Sequence, residues 1–181
     1  DTISFVITGT NDAPTVSMSG NTSTASIAEL ADASSQTLSA SGSINFDDLD
    51  ANDDLTITTT SIVVSSVGAS VSSELEADLI AAVSVSESLD TDGQADWSLS
   101  TAGLDLDYLD TGESIAVTIA ITATDLSNES VTTNAVVTIT GTNDGPTLSV
   151  EAVDPTVDEA VDASTQSLSD SGTIYFSDLD D

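Results

Sequence analysis

The densest set of chemically capable side chains in the chain is the run Phe46-Asp47-Asp48-Leu49-Asp50-Ala51-Asn52-Asp53-Asp54-Leu55. Carboxylates this close repel one another, and a hard cation taking about six to eight oxygen ligands turns that repulsion into affinity, so calcium (Ca2+) is the natural partner. The plain alternative is a solvated acidic loop that serves only solubility. Recurrence favours the metal: Asp48 and Asp50 return as Asp178 and Asp180 beside the same apolar anchor, Phe46 and then Phe176. A second candidate is the junction Asn11-Asp12-Ala13-Pro14, repeated as Asn143-Asp144-Gly145-Pro146. Each follows a strand-like run; Pro ends ladder pairing, and the Asn and Asp offer a carbonyl and a carboxylate, with an ordinary Asx turn as the alternative. Asp125, in Ala123-Thr124-Asp125-Leu126-Ser127-Asn128-Glu129, is a third candidate, with a simple turn aspartate as its rival.

What the composition excludes is as informative. The 181 residues include 32 Asp plus Glu and no Lys, Arg or His, a formal charge of −32 at pH 7. Binding nucleic acid or an anionic membrane needs cationic side chains, so neither partner is expected. Without Cys or His there is no thiolate nucleophile, no Ser-His pair and no imidazole or thiolate metal site. An enzyme would have to run on carboxylates alone; Asp105, Asp107 and Asp110 mimic a glycosidase pair only because acids are so abundant, and no enzymatic activity is expected. No apolar run approaches the roughly 20 residues that span a bilayer, and the N-terminus lacks a basic signal-peptide region, so the chain reads as a soluble stretch of something longer. Hydrophobic residues make up 39% but aromatics only 3%, so a core must be built from Val, Ile, Leu and Ala.

Internal repetition sets the expected organisation. Gly9-Thr10-Asn11-Asp12-Ala13-Pro14 recurs 132 positions later, and Ala33-Ser34-Ser35-Gln36-Thr37-Leu38-Ser39-Ala40-Ser41-Gly42 recurs 130 positions later at Ala163 to Gly172. The expected division is the last strand of one repeat (1–11), a complete repeat (12–143) and the first part of the next (144–181). From Ser114 to Ala123, Ile115, Val117, Ile119 and Ile121 alternate with small or polar residues, the period of a half-buried strand. The β-branched run Leu55 to Val64, and the segments before Gly141 and Gly9, read the same way. One helix is expected over Glu74 to Val83, where Leu75, Leu79 and Val83 share a face and Ser73 with Glu76 forms a capping box. Trp97, Leu99, Leu104 and Tyr108 read as core, with carbohydrate stacking as the alternative for Trp97. Thr58-Thr59-Thr60 has no regular Thr repeat around it that would make an ice-binding face. Short strands separated by turns predict an all-β fold of immunoglobulin-like sandwiches in tandem, with one short helical insertion.

These motifs together carry a resemblance. Thr122-Ala123-Thr124-Asp125, followed by a strand ending Val137-Thr138-Ile139-Thr140-Gly141-Thr142-Asn143-Asp144-Gly145-Pro146, resembles the end of a cadherin-type domain. The order from Gly42 through Asp48-Leu49-Asp50, Trp97 and Leu106-Asp107-Tyr108-Leu109-Asp110-Thr111-Gly112-Glu113 to Gly-Thr-Asn-Asp is similar to the VCBS-type repeats of large bacterial surface adhesins, the extender region of RTX adhesins. The resemblance implies calcium at each joint between repeats. One joint would use Asn11, Asp12, Asp48, Asp50 and Asp125; the next would use Glu29, Asn143, Asp144, Asp178 and Asp180. Glu159 is a further candidate metal ligand. The chain departs from the cadherin pattern at Leu109, where an acidic residue is usual, and at Gly9 and Gly141, where the linker usually opens with Asp. Fewer carboxylates imply one or two ions per joint instead of three. The implied role is a calcium-stiffened spacer at the cell surface or in the extracellular space, acting in adhesion and biofilm, whose partners are neighbouring repeats of the same chain. A rival is a self-assembling filament, a homotypic assembly in which Ile3 to Thr8 completes the sandwich of another copy.

Overall fold

The computed structural model describes residues 2–31, 36–50, 54–87, 93–151, 156–162 and 164–180. Asn52 and Asp53 of the acidic run lie outside the described residues, as do Ala33, Ser34 and Ser35 of the repeated segment.

The described residues form ten strands and one helix in the order β1 (Thr15–Val16), β2 (Thr24–Ala28), β3 (Ser39–Asp47), β4 (Thr56–Val67), α1 (Ser73–Ala81), β5 (Val83–Glu87), β6 (Gln94–Ser100), β7 (Ser114–Thr124), β8 (Ser130–Thr140), β9 (Thr147–Val150) and β10 (Ile174–Ser177). The first eight strands form two four-stranded sheets, ordered β1-β3-β6-β5 and β2-β8-β7-β4, and β9 pairs with β10 separately. All pairings are antiparallel except β2 with β8, which run parallel from Thr24↔Val136 to Ala28↔Thr140. The chain is thus predominantly β, and the two larger sheets share one apolar core.

The core follows from the alternation in sequence. Ile115, Val117, Ile119, Ile121 and Ala123 of β7 and Ala135, Val137 and Ile139 of β8 are fully buried against Ile44, Ala95, Trp97 and Leu99 of the facing sheet. The outward positions are mostly Thr, Ser and Ala, and no residue of β2, β4, β7 or β8 is acidic. That exclusion has a physical cause. Side chains opposite one another on paired strands lie roughly 5 Å apart, and with no cationic partner available each carboxylate there adds only repulsion. The described acids lie instead in loops, in the helix and on the facing sheet, where Asp96 sits within β6 opposite Ser43 and Ser86.

Trp97 is 1% exposed, so its ring belongs to the core and offers no face to a carbohydrate. Its indole Nε1 donates to the Thr22 carbonyl at 2.8 Å, and Gly42, directly across the ladder, leaves the room: a Cβ there would collide with the ring and with that carbonyl.

Two expectations need correction. The helix begins one residue earlier than the expected Glu74, and its cap is Ser72, not Ser73: Ser72 has extended backbone (ψ 154°), and its side chain accepts from Leu75 N at 3.1 Å. The helix stops at Ala81 because Val83 is taken into β5, where it pairs with Leu99. The segment before Gly9 forms no strand. Ile3, Phe5, Val6 and Ile7 are between 78% and 96% exposed, because a strand needs a ladder partner and none reaches them among the described residues.

Gly42→Ala is expected to destabilise the sandwich by more than about 1 kcal/mol, since the Cβ meets a ring locked by its own hydrogen bond and a backbone carbonyl. Urea denaturation measures this; an unchanged midpoint would show that the Trp97–Gly42 packing is not tight.

Candidate metal centre

Three strands and one loop end together at one edge of the sandwich. Ala28 of β2 pairs with Thr140 of β8, and Thr140 pairs with Ser114 of β7. Glu29 follows β2 immediately, continuing the ladder with its N–H on Thr140 O at 3.0 Å. Its carboxylate is held from the β8 side: Thr142 N donates to Oε1 at 2.7 Å, and the Thr142 hydroxyl reaches both Oε1 and the Glu29 carbonyl. Glu29 is thereby 2% exposed.

Asp107 arrives from the loop between β6 and β7. Leu106 and Leu109 are fully buried and pin that loop into the core, with Leu109 N bonded to Leu106 O at 3.1 Å, so the intervening Asp107 is carried to 2% exposure. Gly141 accommodates the loop from the other side, because a Cβ there would strike the Leu109 and Asp110 carbonyls. Leu109 and Gly141 therefore meet in one packing contact. Asp144, three residues beyond Gly141, is fully buried and gives its backbone N–H to Asp180 Oδ2 at 2.7 Å.

Glu29, Asp107 and Asp144 each bring a carboxylate oxygen within 4.8 Å of the others. Burial pushes the Asp107 carboxyl above its ordinary range; Asp105, Asp144 and Glu29 push it further, and a hydrogen bond from the Gln36 amide opposes them. Its Oδ2 is buried and has no hydrogen-bond partner. Desolvation likewise raises the Asp180 carboxyl, helped by Asp144, Asp110 and Asp178 and opposed by the Asp144 N–H. Buried like charges with an unsatisfied oxygen are costly, and a cation removes both penalties at once. The donor set is all oxygen, which suits a hard divalent ion and supplies neither a nucleophile nor a soft ligand.

The other expected ligands fall as follows. Asn143 is exposed and turns its amide onto the Asp144 carbonyl, and Asp178 Oδ1 lies 3.5 Å from Asp180 N. Asp12 N donates to Asp50 Oδ2 at 2.7 Å, and Asp50 N to Asp48 Oδ1 at 2.9 Å, reproducing the Asp144–Asp180–Asp178 arrangement. Asp48 Oδ2 is also buried without a hydrogen bond. Asp125 receives Asn11 Nδ2 on Oδ2 at 3.0 Å, and the N–H groups of Ser127 and Glu129 on Oδ1 at 2.8 and 2.9 Å. These bonds, the Asn11 amide first, hold its carboxyl below the usual range, so Asp125 serves the turn that closes β7 onto β8 and ties Asn11 to it. Glu159 is exposed and is not gathered with other carboxylates among the described residues.

Asp107 and Gln36 were not legible as site residues. The signal for Asp107 is its place between two leucines that both enter the core; for Gln36 it is recurrence as Gln166.

No protein-family model matches the chain, and no curated protein does. The fold and site define a β-rich protein with a buried three-carboxylate centre able to hold a metal ion.

Asp107→Asn removes one charge from a crowded set while keeping its shape. In chelator the variant is expected to melt no lower than the parent, while binding of a divalent cation, with calcium as the probe, weakens about tenfold or more. Melting curves with and without calcium check this; a calcium gain equal to the parent's would place the ion elsewhere.

Proposed function

We propose that the chain is part of a calcium-stiffened spacer, built of immunoglobulin-like sandwiches in tandem, that holds an adhesive region away from a cell surface. One observation carries this reading. Asp144 belongs to the carboxylate centre with Glu29 and Asp107 of the sandwich and also bonds through its backbone to Asp180, next to β10. An ion there ties the end of one sandwich to the segment that follows it, converting a hinge into a fixed joint.

Three further features support the tandem reading. If β1 and β2 are taken as two halves of a first strand A, the sheets read A-B-E-D and A-G-F-C, the immunoglobulin-like order. The pairings Thr15↔Asp47 and Val16↔Phe46 have counterparts in Thr147↔Ser177 and Leu148↔Phe176. The bond from Thr15 Oγ1 to Asp47 O, 3.2 Å, has its counterpart from Thr147 Oγ1 to Ser177 O at the same distance. Calcium, in place of another divalent cation, is favoured by a site that joins flexible segments through carboxylates and backbone, since calcium tolerates irregular coordination and magnesium does not. Exposure on a cell surface, where calcium is abundant, fits weak sites of about 10⁻⁴–10⁻³ M. The rival, strand complementation between copies, draws on the exposed and unpaired Ile3, Phe5, Val6 and Ile7; regular filaments in electron micrographs would favour it over isolated rods.

An ion that binds only the folded state stabilises it by about 2.7 kcal/mol per site at a hundred times its dissociation constant. Calorimetric titration is expected to show calcium binding with a matching rise in melting temperature, reversed by chelator. Sodium chloride is expected to restore part of that stability by screening. An unchanged melt in chelator at low salt would overturn the calcium reading.

A further inference from the structure

The carboxylate centre contains one group that the spacer reading does not use. Gln36 is 4% exposed, and its side chain lies among the buried acids. Leu30 N, which can only donate, meets one end of the amide at 2.6 Å, so that end is the carbonyl oxygen Oε1. The NH2 is therefore turned toward the acids, and Nε2 lies 3.2 Å from Glu29 Oε2 and 3.2 Å from Asp107 Oδ1. One amide thus gives a hydrogen to each of two carboxylates, and Asp107 Oδ2 is left without a hydrogen bond.

We propose that the Gln36 amide is the centre's built-in counter-charge, standing in for the cation when none is bound. The inference rests on reading Glu29, Asp107 and Asp144 as a calcium site. A chain without Lys, Arg or His has no cationic side chain to place among buried acids, and the amide NH2 is the strongest uncharged substitute, carrying two donors and no proton to lose at ordinary pH. Its presentation is a local property of the loop. Ala160 N donates to Gln166 Oε1 at 2.7 Å in the same spacing, although Gln166 is exposed and no carboxylate centre gathers around it among the described residues. The backbone N–H thus orients the glutamine by itself, before any acid is gathered.

A counter-charge behaves differently from a brace. Removing a brace weakens the ion-free and calcium-loaded proteins alike, or weakens calcium binding. Removing a counter-charge raises the energy of the ion-free fold most, because calcium supplies the compensation once bound, so the variant should be less stable yet bind calcium more tightly. Gln36→Met keeps the size of the side chain without its donors; Gln36→Glu keeps the acceptor for Leu30 N and replaces the donors by a further carboxylate. Melting curves in chelator and in saturating calcium, with calorimetric titration of CaCl2, read both effects. The expected result is a melting temperature that falls clearly more in chelator than in calcium for both variants, with calcium affinity raised about tenfold or more, since two charge-assisted hydrogen bonds are lost from the ion-free state. Wild-type protein that binds calcium, together with variants whose affinity is unchanged or lower or whose melting falls equally in both conditions, would overturn this inference alone. Wild-type protein with no heat of binding and no calcium-dependent melting would overturn the calcium reading and the inference with it.

Discussion

Everything in this molecule answers to the absence of a cationic side chain. With 32 acidic residues and no Lys, Arg or His, a carboxylate that leaves water can be compensated only by hydrogen-bond donors, by a proton or by an ion from solution. Most of the chain avoids the problem: one whole sheet carries no acid, and its outward positions are filled by Thr, Ser, Ala, Val and Asn. At the edge where β2 and β8 end and β7 begins, the chain does the opposite and buries Glu29, Asp107 and Asp144 side by side. Three acids gathered where there is no base to pair them could hold an external cation.

Ordinary packing holds the acids together. The parallel pairing of β2 with β8 delivers Glu29 beside Thr142, whose N–H and hydroxyl fix its carboxylate. Leu106 and Leu109 anchor the loop bearing Asp107, and Gly141 provides the space in which that loop passes β8. These anchors are apolar side chains, backbone groups and the Thr142 hydroxyl, and they gather the three acids. Beyond the centre, Asp144 gives its backbone N–H to Asp180 Oδ2, so under the proposed reading the effect of an ion would fall on the segment that carries Asp180.

Much of the fold was legible because its signals are periodic. The alternation at Ile115, Val117, Ile119 and Ile121 placed β7 to within a residue, and the β-branched run after Leu55 located β4, whose last residues extend beyond it to Val67. The helix was legible from Leu75 and Leu79, but its cap was not, because Ser70, Ser72 and Ser73 all precede Glu74 and only backbone geometry selects Ser72. The segment at Ile3 to Thr8 has a strand's sequence without a strand's partner, and sequence cannot reveal whether a ladder is available. Within the site, Asp144 was singled out by the repeated Asn-Asp junction and Glu29 through the resemblance, whereas Asp107 was hidden by abundance: where acids are everywhere, acidity marks nothing, and burial between two core leucines is what distinguishes it. Gln36 was hidden because a glutamine in a Ser-rich stretch looks like loop filler until its amide is seen between two carboxylates.

The central claim is that an ion at Glu29, Asp107 and Asp144 fixes the segment beyond Asp144 relative to the sandwich. A chain free of cysteine allows a clean measurement, since two introduced cysteines are the only labelling sites. Spin labels at exposed Ser65 on β4 and exposed Ser149 on β9, read by pulsed electron–electron resonance, report the distance distribution across the joint. The account predicts one narrow distribution in calcium that broadens severalfold in chelator at constant ionic strength. Distributions of equal width in calcium and in chelator would contradict it, leaving the buried acids without the mechanical role assigned to them.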